Sequence, residues 1–132
     1  MIKVVVTGRN EERAQAVVDD IVAAGGEAFA VIADMANVDD IQKIFDETMA
    51  AYGTVDILFN NAGLLSVTPL MEMTKEEWDK VFDVDVYAAL RLTQLVAPVM
   101  KEKGKGSIIN TCSVASYAAH FGFVGYISCK HA

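Results

Sequence analysis

The chain has 132 residues, 53% of them hydrophobic, and a formal net charge of -7. That length suits one domain of ~100 to 200 residues, and the apolar share excludes a disordered tail. The acidic balance disfavours phosphate backbones and anionic lipid, so neither nucleic acid nor membrane is an expected partner.

Ile2 to Val6 reads as a β-branched run, the pattern of a parallel strand covered on both faces, ending at Thr7-Gly8. This run is too short for a secretory h-region, and charges such as Arg91 interrupt the longest apolar stretch elsewhere. A soluble, cytoplasmic protein is therefore expected. Asn10 caps a helix with Glu11 and Glu12 in its first turn and Ala14, Val17, Val18 and Ile21 on its apolar face, stopped by Gly25-Gly26. The pattern repeats with a strand from Ala28 to Ile32, a cap at Asn37, and a helix burying Ile41, Ile44, Phe45 and Met49 before Gly53. A third strand follows at Val55 to Phe59.

Thr74 with Glu77 forms a capping box that opens a helical stretch through Trp78 and Val81 to about Lys103, with a kink expected near Pro98 and an end bracketed by Gly104 and Gly106. Ser107 to Thr111 is the fourth strand, and a last helix is expected around Tyr126 to His131. Alternating strands and helices predict an α/β fold with a parallel sheet. Cys112 and Cys129 lack the spacing of a zinc site or redox pair and are expected to be buried thiols, with no metal.

Tyr126 and Lys130 are four apart on the last helix, so both rise from one face. A free phenol titrates near ~10, and an ammonium ~4 Å away at an effective dielectric of ~20 contributes about 4 kcal/mol, enough to bring a tyrosine toward neutral as a general acid or base. Ser113, at the end of the fourth strand, is placed to donate to a carbonyl oxygen. Taken alone, a Tyr-x-x-x-Lys pair also suits a half-buried ring beside a solvated charge.

Asn60-Asn61-Ala62-Gly63 after a strand, Ser113, and Tyr126-Ile-Ser-Cys-Lys130 stand in an order and spacing similar to short-chain dehydrogenase/reductases, and the resemblance covers essentially the whole chain. It implies an incomplete Rossmann-like doubly wound parallel sheet, lacking the first strand and the last strands, with residues 1–132 a single partial NAD(P)-binding domain. It implies that Ser113 polarises the substrate carbonyl, Tyr126 transfers the proton, and Lys130 assists the tyrosine and binds the nicotinamide ribose. Asp34 corresponds to an adenine-contacting aspartate. Asn60, Ala62 and Gly63 correspond to the sheet-stabilising turn beside the cofactor. The helix from about Asp85 to Lys103 and the helix of Tyr126 resemble a pair that packs in homo-oligomers.

The sequence also departs from that pattern. The family's Thr-Gly-x-x-x-Gly-x-Gly turn is not found here, because Thr7-Gly8 is followed by Arg9-Asn10-Glu11-Glu12 and no further glycine before Gly25. The first segment therefore resembles the family's second strand and helix. An absent first strand would lie between Ile2–Val6 and Val55–Phe59, leaving these about 10 Å apart. Arg9, with Gly8 in place of an acidic residue, suits a 2'-phosphate, so NADP is expected over NAD. Asp85 stands where the family holds a relay water with asparagine. Its charge would stabilise Lys130 and oppose the help that lysine gives Tyr126, unless it is an ordinary helix-surface aspartate. His120 and Phe121 precede the tyrosine in a loop that could face substrate.

The expected function is reduction of a ketone, or the reverse oxidation of a secondary alcohol, with NADP(H), carried by a chain that is truncated and inactive alone. Reduction of a 3-oxoacyl thioester is the alternative within the class. A catalytically silent Rossmann-like interaction module is the alternative outside it.

Overall fold

The computed structural model describes residues 1–132, which form two compact units, Met1–Val55 and Asp56–Ala132. In the first, β1 (Lys3–Gly8) and β2 (Glu27–Ile32) pair in parallel from Lys3↔Glu27 to Gly8↔Ile32. Helix α1 (Glu11–Ala23) connects them, and α2 (Val38–Tyr52) follows β2. Both expected caps form. The Asn10 side chain accepts the Arg13 N–H at 2.8 Å, and that of Asn37 accepts the Asp39 N–H at 2.9 Å.

Ala14 and Val18 of α1, Val31 and Ala33 of the second strand and its exit, and Ile41 and Ile44 of α2 form this unit's core. Fully burying a side chain the size of Ile41 contributes about 1.5–3 kcal/mol. Val17, expected on the apolar face of α1, is 46% exposed. Strand β1 is only half-buried, and Ile2 lies before it in solvent. The expectation of a strand covered on both faces is therefore corrected, since β-branched residues report strand propensity more surely than two-sided burial.

In the second unit β3 (Ile57–Asn60) and β4 (Ser107–Asn110) pair in parallel, from Ile57↔Ser107 to Asn60↔Asn110. A 3₁₀ turn (Leu70–Glu72) leads to α3 (Lys75–Phe82) and, through a π-helical turn at Asp83–Tyr87, to α4 (Ala88–Lys103). Pro98 lies inside α4 without ending it. A departure from α geometry lies at the π turn, where the Ala88 N–H reaches back to the Asp83 carbonyl. Ala88, Leu92, Val96 and Met100 recur every four residues and make one buried stripe. Gly106 is required where β4 begins: a Cβ there would stand 2.4 Å from Cγ of Met100. After β4 a second 3₁₀ turn (Val114–Ser116) precedes α5 (Val124–His131).

Candidate active site

Parallel α/β sheets gather their chemistry beyond the carboxyl ends of the strands, and the expected residues follow that rule unit by unit. In the first unit Arg9 follows β1 with an exposed side chain, and Asp34 follows β2. The ends of these strands are paired, with the Ala33 N–H on the Gly8 carbonyl at 3.0 Å. One oxygen of Asp34 accepts the Ala36 N–H at 2.9 Å in a local turn.

In the second unit Asn60 ends β3 opposite Asn110, and its side-chain amide donates to the Asn110 side-chain oxygen at 2.9 Å. The Thr111 hydroxyl donates to Asn61 at 3.0 Å. These cross-strand bonds tie together the ends of the two strands. Ser113 opens the 3₁₀ turn after β4. Its Oγ accepts the Ala115 N–H at 3.2 Å, and Ser116 Oγ accepts the Ser113 N–H at 3.3 Å. Accepting that bond leaves the hydroxyl hydrogen of Ser113 available to a carbonyl oxygen. This turn packs on α5.

Tyr126 and Lys130 share a face of α5, with Lys130 Nζ 5.5 Å from the tyrosine ring centroid. Asp85 is not a surface aspartate. Its side chain is fully buried and that of Lys130 is 12% exposed, with Oδ1 3.1 Å from Nζ. The second oxygen, Oδ2, accepts the Leu64 N–H at 2.7 Å. Oδ1 has no aligned hydrogen bond, so the charge of Lys130 alone compensates its burial. Gly63 gives this pair room, because a Cβ there would lie a tight 3.1 Å from Oδ1 of Asp85.

The Leu64 amide carries no signal in a sequence, and neither does the involvement of Cys129. Burial pushes the Cys129 thiol up to about 11, with the Asp85 charge adding to the rise and Lys130 opposing it. Cys129 is buried as expected, whereas Cys112, expected to be buried too, is exposed. His120 and Phe121 are exposed as well.

The expected capping box at α3 forms only in part. Thr74 accepts the Glu77 N–H at 3.1 Å, but the Glu77 carboxylate turns instead to Ser66 Oγ at 2.7 Å and Thr68 Oγ1 at 2.6 Å. Two hydroxyl donors outcompete the single Thr74 amide and hold the loop after β3 onto α3. Those hydroxyls hold the Glu77 carboxyl below its ordinary range. A depressed carboxyl stabilises the fold above its unfolded value and loses that contribution as pH falls through the folded one. Glu77→Ala is therefore expected to lower Tm at neutral pH and to speed amide exchange around Ser66–Thr68. The difference from the unaltered chain should shrink in acid. An unchanged Tm and exchange pattern at pH 7 would show that the clasp contributes nothing.

The sequence matches the short chain dehydrogenase family over residues 1–132. It is 35% identical over 121 residues to a 3-oxoacyl-[acyl-carrier-protein] reductase FabG of Staphylococcus epidermidis, covering 92% of this chain and 50% of that protein. It is 36% identical over 130 residues to a 3-oxoacyl-[acyl-carrier-protein] reductase of Synechocystis, covering 98% and 53%. The chain thus spans about half the length of these curated relatives. Among solved structures, a metagenomic short-chain oxidoreductase in complex with NADP superposes with a TM-score of 0.92 at 36% identity, covering 97% of this chain and 58% of that one. A gluconate 5-dehydrogenase from Burkholderia cenocepacia in complex with NADP and tartrate gives 0.85 at 32% identity, covering 96% and 50%.

Proposed function

Because the chain belongs to the short-chain dehydrogenase family, we propose that it carries the proton-transfer half of an oxidoreductase that reduces a ketone to a secondary alcohol, or runs the reverse, with NADP(H). The observation that carries this reading is the placement of Tyr126 and Lys130 on one face of α5, beside the turn that Ser113 opens. Ser113 donates its hydroxyl hydrogen to the carbonyl oxygen and fixes its direction. Tyr126 delivers the proton to that oxygen as charge builds on it, and takes it back in the alcohol direction. Lys130 stabilises the phenolate left behind through its positive charge.

The donor set fits the nicotinamide ribose. Lys130 has three N–H donors, and its contact with Asp85 leaves others for hydroxyl groups. A bound nicotinamide cofactor supplies the hydride. The turn after β1 does not fit a pyrophosphate. Helix α1 opens with Glu11 and Glu12, and its Arg13 N–H is already taken by the Asn10 side chain. Arg9, at the end of β1, is the residue we assign to the 2'-phosphate. Among ketones, the likeness to the 3-oxoacyl-[acyl-carrier-protein] reductases favours a 3-oxoacyl thioester.

The test is NADPH oxidation by a full-length reductase carrying this sequence, with a 3-oxoacyl thioester and a simple ketone as substrates. Ketone-dependent oxidation is expected, faster with the thioester. Arg9→Ala should raise KM for NADPH far more than for NADH. Oxidation indifferent to any ketone would favour a catalytically silent interaction module, and equal losses for both cofactors would remove Arg9 from the site.

A further inference from the structure

We propose that Asp85 is a positioning residue of this site. Its buried carboxylate grips the Lys130 ammonium directly and presents that charge to Tyr126 as half of an ion pair, so that proton transfer runs at a more alkaline pH than a carboxamide at position 85 would set. The proposal rests on the reading of Tyr126 as the proton-transfer group.

The contact leaves no room for a water molecule between Oδ1 and Nζ at 3.1 Å. A carboxamide there would donate or accept through a neutral group, whereas this carboxylate offsets part of the lysine's field at its neighbours. Its burial makes the offset effective, since neither solvent nor salt screens charges at 0% and 12% exposure as it does surface pairs. The grip is fixed from the other side as well. Oδ2 is held by the Leu64 N–H, and the missing Cβ of Gly63 lets the loop after β3 close against the pair.

The titratable groups facing Asp85 from α5 are Lys130 and Cys129, and the loop after β3 contributes only backbone. On α3, Asp79 is engaged by Lys75. Burial first and then the Asp85 charge raise the Cys129 thiol, with Lys130 opposing.

The experiment is a tyrosinate absorbance titration of the purified chain, unaltered and as Asp85→Asn, each with its Tyr126→Phe counterpart subtracted. The asparagine keeps an acceptor for the Leu64 amide. The Tyr126 signal should move to lower pH in Asp85→Asn. In a Cys112→Ser background the thiolate signal of Cys129 should move the same way. Superimposed curves, or a shift to higher pH, would overturn the proposal. Should Asp85→Asn fail to fold, the unaltered chain decides through trace acetylation read by mass spectrometry. Lys130 should react far more slowly than the exposed Lys101, and parity between them would mean that no grip exists. No cofactor or substrate enters these measurements, so their failure would leave the oxidoreductase reading to the turnover assay.

Discussion

Tyr126→Phe is expected to lower kcat of a full-length reductase carrying this sequence by about 10²- to 10⁴-fold, the range that a positioned general acid contributes. The ring keeps its packing on α5 and its contact with the Lys130 ammonium, 5.5 Å from the centroid, so cofactor affinity should stay close to that of the unaltered enzyme. The lost group is the hydroxyl alone, which acts while the proton is in flight. A fall in kcat with KM nearly constant is the signature of an interaction made in the transition state. The check is steady-state turnover together with NADPH binding by fluorescence. A phenylalanine variant that keeps most of the wild-type kcat would remove Tyr126 from the chemistry and leave Ser113 and Lys130 without a proton donor between them.

The 132-residue chain by itself is expected to bind NADPH no tighter than about millimolar, worth roughly 4 kcal/mol, and to reduce no ketone. A pyrophosphate is normally held by free backbone N–H groups at the positive end of a helix. Here some of those groups are already taken. The Asn10, Asn37 and Thr74 side chains accept the Arg13, Asp39 and Glu77 amides in the first turns of α1, α2 and α3. Behind them stand the carboxylate pairs Glu11 and Glu12, Asp39 and Asp40, and Glu76 and Glu77, which repel an anion. What remains attractive is the ammonium of Lys130, already shared with Asp85, and the start of α5, which no side chain caps. Calorimetric titration with NADPH provides the measurement. Micromolar affinity would mean that the chain holds a phosphate site other than a glycine-rich turn.

Much of this fold is legible in local chemistry. Asn10 and Asn37 cap their helices because a short side-chain oxygen satisfies amides two or three residues ahead, a relation contained within one turn. The alternation of β-branched runs with 3.6-residue periodicity marks four strands and their parallel pairing, with errors of one or two residues at the ends. The four-residue spacing of Tyr126 and Lys130 puts both on one helical face.

The relations that turn those residues into a site lie outside that local reach. Glu77 is three residues from its expected partner at Thr74, yet its carboxylate goes to Ser66 and Thr68, because only the folded loop brings two hydroxyls to one oxygen. Asp85 could be read as a surface aspartate, and its side chain is instead fully buried against Lys130. The π turn at Asp83–Tyr87 carries it to the Leu64 amide, 21 residues back, and to Lys130, 45 residues ahead. Which residues form each element, and which side chains share a face, follow from bonded geometry and repeat length, so the order of amino acids is enough to settle them. Which carboxylate neutralises which ammonium is settled only in the folded chain. Pairing energy depends on separation and burial, and both arise when loops far apart in the chain close on one another.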